Sequence, residues 1–532
     1  MNITKKGNLA FLFVLLMYAI YIMVYIYRTS FVVGNERYFV LFDDAMISMR
    51  YAKNLIHGYG LVWNPGGERV EGYTNPLWVL FMACFHLLPI AASKMSLLVQ
   101  MSGGLFLLAN LFLVKKISEL LSSSALLAIL AVLMSAFYTP LNNWGLQGME
   151  VSVLTLILSA VAWLSLKHLR QRSFSPWVYV WLGIATWVRM DMTVPYLLLL
   201  LFLSVALPEH RRSNLLWGGG LLLLFLGSQT LFRLFYYSEW LPNTYYLKMS
   251  GYPMILRLKR GGYALLLFIL NANWFLFLLP FIVLLFKRDR SGLLLALLVL
   301  GQMAYSLYVG GDAWEHKGGA NRYIAIAIPL FFILFTYALW LSLEALTTLF
   351  TKEPRRWRSF ANLILLLLTL ASMANFNFFK NVKSLERWML MHQPLFIEGN
   401  KENVQTALAL KRITLPRAKI AVVSAGAIPY FSDRIAIDLL GKNDKVVARQ
   451  AAHVTSGPFN LEALRPGHMK WDYDYSIGEL QPDVVVQLWK QADKAQALWK
   501  KDYVKGEEPG GMVFWLRRDS ENIRWEKVKV QP

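Results

Sequence analysis

The stretch Phe39-Val-Leu-Phe-Asp-Asp-Ala-Met-Ile-Ser-Met-Arg50 follows the first apolar run of the chain and contains two adjacent carboxylates, Asp43 and Asp44. A chain built from apolar helices rarely needs two acids among apolar residues in its first loop. An acid held at a membrane surface near a cation suits a general base that acts on a lipid-carried substrate. The alternative is that either acid caps the helix predicted from Asp44 to about His57.

Apolar runs of helix length recur along the chain and set its class. Of the 532 residues, 56% are hydrophobic and 16% are charged, a balance typical of polytopic membrane proteins. About eleven runs are candidate spans: 8–27, 96–114, 124–139, 150–166, 174–188, 192–207, 214–235, 262–286, 292–309, 323–347 and 359–377. The sequence therefore predicts a polytopic α-helical membrane protein with about eleven transmembrane helices.

The basic loops predict the orientation of these helices. With the N-terminus in the cytoplasm, as Lys5 and Lys6 favour, all five Lys- and Arg-rich loops fall on the cytoplasmic side. The apolar segment 76–89 is assigned to the outer surface, because counting it as a span would invert every later loop. Anionic membrane lipid then explains the net charge of +21. The sequence shows no basic face with interleaved aromatics, so we expect no nucleic-acid partner.

Two domains are expected. Residues 1–377 form a transmembrane domain whose outer loop, 28–95, carries the acidic motif, and residues 378–532 form an extracytoplasmic, soluble α/β domain. The tail is long enough to build its own core. Three of its segments are predicted as buried strands: Ile420–Gly426, Arg434–Leu440 and Asp483–Leu488.

Polar residues at the predicted outer ends of the spans are the next candidates. Glu150 starts an apolar helix, where the helix dipole alone explains an acid, or where the acid shares a cation or orients a sugar hydroxyl. Arg189 and Asp191 either satisfy each other or form a phosphate site in which Asp191 fixes the Arg189 rotamer. Asn243 and Lys248 lie among aromatic residues, which an aromatic belt at the membrane interface would explain. Such a belt explains Asn243 and Lys248 themselves less well.

The loop before the span at 323–347 is dense in charge. Asp312, Glu315 and His316 form a weak candidate metal site, which leaves a divalent cation open. Arg322 is either a membrane anchor or a phosphate ligand. The one cysteine of the chain excludes an intrachain disulfide. In the tail, His468 either faces a substrate or merely closes a turn.

Several motifs resemble those of the GT-C superfamily of membrane glycosyltransferases, and most closely the terminal arabinofuranosyltransferases of the mycobacterial cell wall. The first outer loop carries the specific part of this likeness, in Asp43-Asp44-Ala45 through Tyr51-Ala52, Gly60–Gly66 and Glu71–Asn75. Looser matches follow at Gly148–Glu150, Leu241–Thr244, Gly310–Asp312, Gly426–Tyr430, Asp438–Gly441 and Pro466–His468. In the tail, Gly-Lys-Asn-Asp stands where Gly-Leu-x-Asp is more usual.

The resemblance implies a polyprenyl-phosphate sugar donor and an inverting transfer outside a bacterial cytoplasmic (inner) membrane. It also implies an acidic base in the first loop, for which Asp43 is the first choice and Asp44 the alternative. Arabinofuranose is the sugar we expect, and the acceptor is a hydroxyl of an extracytoplasmic glycan or glycoprotein. The donor phosphate is expected at Arg189, Lys248 or Arg322, and the substrate contacts at Glu150, Asp191, Asn243, Asp312 and His468.

Two other functions share parts of this pattern. A transporter or flippase of lipid-linked sugars is expected to show internal repeats and polar residues at the membrane midplane. Here no repeat is visible, and the polar residues lie at the predicted outer ends of the spans. A ligase that transfers a whole lipid-linked glycan uses the same donor chemistry. Only the family resemblance distinguishes it from a transferase that moves a single sugar.

Overall fold

The computed structural model describes residues 3–315, 318–350, 354–379, 383–454, 461–499 and 501–531. The chain divides into two compact units, each assembled from three separate segments. Unit 1 comprises Met1–Arg28, Gln100–Gln229 and Ile255–Pro394, and unit 2 comprises Thr29–Val99, Thr230–Met254 and Leu395–Pro532. The first outer loop and most of the tail therefore belong to the same unit. The division at residue 377 stays a prediction.

The helices are α1 (Ile3–Thr29), α2 (Asp43–Ile56), α3 (Pro76–His86), α4 (Ala92–Leu121), α5 (Ala125–Ala136), α6 (Thr139–Leu146), α7 (Val151–Gln171), α8 (Trp177–Val188), α9 (Thr193–Ala206), α10 (Arg211–Tyr237), α11 (Asn243–Met249), α12 (Met254–Asn271), α13 (Trp274–Lys287), α14 (Arg290–Tyr308), α15 (Ile328–Phe350), α16 (Pro354–Phe376), α17 (Ser384–Trp388), α18 (Ile397–Ile413), α19 (Ala427–Ser432), α20 (Lys445–Arg449) and α21 (Ala492–Trp499). The strands are β1 (Phe31–Val33), β2 (Glu36–Tyr38), β3 (Lys419–Val422), β4 (Ile435–Asp438), β5 (Val484–Val485), β6 (Tyr503–Glu507), β7 (Val513–Arg517) and β8 (Lys529–Val530).

Seven helices among the described residues are long and apolar enough to cross a membrane. Two bent pairs raise this number to nine, namely α5 with α6 at 55° and α12 with α13 at 95°. The sharper bend lies at Asn273, whose positive φ of 62° breaks the helix and whose side chain caps α13. The apolar helices α8 and Met190–Ala206 are shorter. Each of the eleven predicted runs contains a helix, so the polytopic helical class is confirmed.

Helix α15 is the packing centre of unit 1. It contacts α5, α13, α14 and α16, and 78% of its most apolar stretch is buried. Its segment 328–339 is apolar at nearly every position, so the helix has no polar face to present to solvent. Such a helix is stable only where other helices enclose it.

Helix α2 carries the acidic pair within unit 2. Its N-cap residue is Phe42, and no side chain caps its first turn, so the interpretation of Asp43 or Asp44 as the cap of this helix is wrong. Nine residues of α2 are buried, and the helix packs against α3 and α19. The sequence prediction of a helix here is confirmed. The packing fixes the position from which both acids project.

Unit 2 also contains a six-stranded sheet in the order β4-β3-β5-β7-β6-β8. Strand β3 pairs in parallel with β4 and β5, and the remaining pairings are antiparallel. The three predicted strands are confirmed as β3, β4 and β5, each shorter than expected. Parallel strands are covered on both faces, which explains their continuous apolar sequence. Ala421, Ile437, Val485 and Trp499 share a buried core.

Candidate active site

The carboxylate of Asp43 is held by the first backbone amides of α19. Ala427 N donates to Oδ1 at 2.9 Å, and Gly426 N donates to Oδ2 at 3.2 Å. Gly426 has to lack a side chain, because the carbonyl oxygen of Asp43 lies where its Cβ would be. With one such hydrogen bond on each oxygen, the carboxylate is oriented and still has lone pairs available to a substrate.

The surroundings of Asp43 also set its basicity. Burial raises the pKa of this carboxyl to about 6, although the amide of Ala427 opposes the shift. The adjacent Asp44 raises the pKa further, while Gly426 N and the more distant Lys442 lower it. A carboxylate with this pKa is mostly ionised at pH 7 and is a stronger base than an exposed aspartate.

Asp44 pairs with a lysine that the sequence analysis did not identify as a site residue. The Nζ atom of Lys442 lies 2.9 Å from Asp44 Oδ1, and the two side chains are 17% and 19% exposed. Lys442 stands in the Gly-Lys-Asn-Asp turn, where the resembled family more usually has leucine. That departure is the sequence signal that could have pointed to it. The positive charge of the lysine offsets part of the negative charge beside Asp43.

The turn that carries Lys442 is fixed from two sides. Asp438, at the end of β4, accepts hydrogen bonds from Leu440 N at 3.0 Å and from Asn443 N at 2.8 Å. The side-chain nitrogen of Asn243, Nδ2, lies 3.0 Å from the carbonyl oxygens of both Gly441 and Lys442, and 3.1 Å from that of Asp444. Asn243 therefore positions the turn, and its predicted contact with substrate stays a prediction.

His468 and Lys248 lie in the same part of unit 2. Burial lowers the pKa of His468, and the charges of Lys248 and Lys442 add to this effect while Asp44 opposes it. The imidazole is therefore neutral at pH 7. The aliphatic chain of Lys248 lies against Gly467, the residue before this histidine. We call Asp43, Asp44, Lys248, Lys442 and His468 the first-loop cluster.

Three further charged residues of the first loop, Glu68, Arg69 and Glu71, contact residues that are distant in sequence. Glu68 pairs with Lys445 at 2.9 Å, and Arg69 lies over an aromatic ring of α10. Glu71 and Arg233 form a buried ion pair at 2.7 Å. Burial raises the pKa of Glu71 to about 7, while Arg233 lowers it. Each charge is thus matched by a residue distant in sequence.

Unit 1 contains a separate, buried cluster of charges. Arg189 binds both oxygens of Asp191, at 2.6 and 2.9 Å, and Glu150 Oε1 at 2.9 Å. Arg322 Nη2 lies 2.8 Å from Asp312 Oδ1. Glu150 makes no capping bond to its helix and shares a cation instead. We call these five residues the arginine–carboxylate cluster.

The structure thus divides the predicted site residues between the two units. The first-loop cluster and Asn243 belong to unit 2, and the arginine–carboxylate cluster belongs to unit 1. Within the described parts of the chain, no group of three or more His, Cys, Asp or Glu side chains could hold a metal ion. His316, one member of the weak metal candidate, lies outside the described residues.

Residues 394–523 match a family model described as a domain of unknown function, DUF8728. No curated protein matches the chain.

Solved structures match over nearly the whole chain. ArnT from Cupriavidus metallidurans in the apo state has a TM-score of 0.54 and 12% identity, covering 97% of this chain and 98% of its own. The apo oligosaccharyltransferase of Archaeoglobus fulgidus has a TM-score of 0.52 and 11% identity, covering 98% and 76%. The archaeal oligosaccharyltransferase AglB of Archaeoglobus fulgidus, in complex with an inhibitory peptide and a dolichol-phosphate, has a TM-score of 0.52 and 11% identity, covering 100% and 77%. At 11–12% identity this likeness shows the fold, so the chain has the GT-C fold of ArnT and AglB, and the resemblance is confirmed for the fold.

Proposed function

We propose that the protein is an inverting glycosyltransferase that moves a sugar from a polyprenyl-phosphate donor to an acceptor hydroxyl. The proposed sugar is arabinofuranose, and the acceptor is an extracytoplasmic glycan or glycoprotein. The protein would act in a bacterial inner membrane, with its N-terminus in the cytoplasm and its tail outside. The GT-C fold supports the reaction class, and the first-loop motifs support the donor.

The environment of Asp43, which sets the pKa and the orientation of its carboxyl group, is the observation that supports this proposal. A general base needs a pKa near the operating pH and a fixed orientation. Asp43 has both, since burial raises its pKa to about 6 and the backbone amides of Gly426 and Ala427 hold its oxygens. Asp44 is the weaker candidate, because Lys442 Nζ lies 2.9 Å from its Oδ1 and already binds that oxygen.

The reaction follows from these positions. Asp43 takes the proton of the acceptor hydroxyl while the hydroxyl oxygen attacks the anomeric carbon of the donor. The bond from that carbon to the phosphate oxygen breaks, and the electron pair leaves with the polyprenyl phosphate. Attack on the face opposite the leaving group inverts the anomeric configuration. Cations near the phosphate stabilise its developing charge.

Lys248 is the phosphate ligand with the most support, because it belongs to the same cluster as Asp43. Arg189 and Arg322 stay proposed ligands of the phosphate. Their guanidinium groups already bind Glu150, Asp191 and Asp312, so a phosphate would have to share them. No step of this mechanism depends on a metal ion.

Transfer of labelled sugar from synthetic polyprenyl-phosphoryl arabinofuranose tests the proposal. Purified wild-type protein is compared with Asp43→Asn, using a cell-envelope fraction as the acceptor. We expect the substitution to lower the rate by about 10²–10⁴-fold, the usual contribution of a general base. Asp519→Asn is the matched control, because this aspartate follows β7 in unit 2 and its side chain is 82% exposed. Unchanged transfer by Asp43→Asn would refute the assignment of the base.

A ligase that transfers a whole lipid-linked glycan is the second candidate function. The shared fold with the Archaeoglobus oligosaccharyltransferase favours it. The same assay with a polyprenyl-linked oligosaccharide distinguishes the two, since a ligase consumes the oligosaccharide donor and leaves the monosaccharide donor intact. A transporter consumes neither donor and instead moves it across a vesicle bilayer.

A further inference from the structure

A cleft in the tail of unit 2 has no role in the chemistry described above. Its volume is about 590 Å³ and its lining consists of Glu462, Ala463, Arg465, Leu488, Trp489 and Lys490. Small-molecule sites typically have volumes of roughly 300–1,000 Å³ and combine an aromatic surface with a few polar groups. The cleft has this size and composition.

Trp489 is held rigidly in the wall of this cleft. Its indole nitrogen donates to the carbonyl oxygen of His468 at 2.9 Å, and its backbone nitrogen donates to the hydroxyl of Tyr473 at 2.9 Å. The same hydroxyl donates to the carbonyl oxygen of Lys490 at 3.0 Å. The indole is half-buried and packs against the sheet core. A fixed aromatic ring loses little conformational entropy when a ligand packs on it.

The cleft is connected to the first-loop cluster through one residue. The ring centroids of Trp489 and His468 lie 5.7 Å apart. His468 also lies close enough to Asp44, the neighbour of the proposed base, for the charge of this carboxylate to act on the imidazole. A molecule lying on Trp489 would therefore be separated from the first-loop cluster by a single aromatic contact, that of Trp489 with His468.

The side chains that line the cleft indicate the class of ligand that it binds. A flat indole packs well against the apolar C–H face of a sugar ring and leaves the hydroxyl groups to polar partners. Arg465 and Lys490 carry positive charge at the rim, and Glu462 carries a single negative charge. Guanidinium and ammonium groups bind carboxylate and phosphate substituents.

We infer that this cleft binds the acceptor, and that the acceptor is an anionic saccharide whose sugar ring packs on Trp489. Its carboxylate or phosphate group lies toward Arg465 and Lys490, and its reacting hydroxyl points toward the first-loop cluster. This inference rests on the proposed glycosyl transfer and specifies its acceptor. In this proposal the tail of unit 2 selects the acceptor.

Saccharide binding to the full-length protein in nanodiscs tests the inference without depending on turnover. The probes are tri-galacturonate and the neutral trisaccharide maltotriose, followed by saturation-transfer NMR. We expect tri-galacturonate to bind wild-type protein more tightly than maltotriose, and Trp489→Ala to weaken both at least tenfold. Lys490→Glu should weaken tri-galacturonate alone, since this exposed side chain does not contribute to the core.

Trp525→Ala is the matched control. Its indole is also half-buried and also donates to a backbone carbonyl, that of Ser520 at 3.1 Å, but it does not line the cleft, and its helical turn packs against α18. This substitution should leave binding of both probes unchanged. Failure of wild-type protein to bind either probe overturns the inference, and so do equal losses in the two tryptophan variants.

Donor turnover separates this inference from the proposed function. With water as the only acceptor, wild-type protein should release free sugar from the donor, which shows that the donor is used. Transfer to the envelope acceptor should show a raised KM in Trp489→Ala and in Lys490→Glu, and an unchanged KM in Trp525→Ala. If wild type binds tri-galacturonate but never consumes the donor, the proposed function fails and the cleft remains a saccharide site. If the donor is consumed and transfer is unchanged in Trp489→Ala, the acceptor site fails and the transferase remains.

Discussion

The pH dependence of sugar transfer tests whether Asp43 is the base. The pKa of this carboxyl is about 6, so about nine-tenths of it is ionised at pH 7 and about one-tenth at pH 5. Because a base acts only when ionised, kcat/KM should rise with pH and level off above pH 7. The expected fall from pH 7 to pH 5 is about tenfold.

Substitution of Lys442 provides the perturbation. The lysine lowers the pKa of Asp43, so Lys442→Gln should move the acidic limb of the profile to higher pH. The displacement should be less than about one pH unit, because Lys442 makes the smallest of the contributions that set this pKa. The direction of the movement is the diagnostic part of the result.

Single-turnover rates between pH 4.5 and 8 are the suitable measurement, because they report the transfer step rather than product release. The variant Asp519→Asn should reproduce the wild-type profile. A rate that is independent of pH between 5 and 7 would refute the reasoning about Asp43. A limb that moves to lower pH in Lys442→Gln would refute the role given to the lysine.

Three further substitutions test the structure around the site. Arg233→Met should lower the free energy of unfolding by about 3–5 kcal/mol, because it leaves the carboxylate of Glu71 buried without its counter-ion. Adding Glu71→Gln should recover much of this loss in a thermal-denaturation assay, and a double variant no more stable than the single one would contradict it. Gly426→Ala should lower the transfer rate at least tenfold, since the new Cβ displaces Asp43; full activity would contradict the close approach seen here. Asn243→Asp should impair transfer more than Asn243→Ala, because a carboxylate faces three carbonyl oxygens, and the reverse order would show that the amide does not hold the turn.

Long apolar elements were the predictable part of the fold. The candidate spans and the parallel strands β3, β4 and β5 each read as a continuous apolar run, because they are covered by protein or lipid on every side. Strands β6, β7 and β8 were not predicted. They form the antiparallel part of the sheet. Strands β6 and β8 mix polar with apolar residues and resemble loops in sequence, and the apolar run of β7 is only four residues long.

The partners of charged residues were the unpredictable part of the site. Asp43 and Asp44 stand out because an acidic pair among apolar residues is unusual, and that contrast is local. Lys442 is distant in sequence, and only the pairing of the first loop with the turn after β4 brings it to Asp44. The same holds for Glu71, whose partner Arg233 comes from α10 rather than from its own loop.

The hydrogen bond between Asp43 and Ala427 joins residues 384 positions apart. A ribosome adds about 5–20 residues per second, so the acid emerges about 20–80 s before the amide that binds it has been synthesised. Arg50 donates a hydrogen bond to the carbonyl oxygen of Arg434, which is also 384 positions later in the chain. Unit 2 can therefore assemble only after residue 434 has been synthesised, long after α1 has left the ribosome. A nascent chain that stalls before residue 426 would present α2 to the cell's quality-control machinery without the segment that covers it.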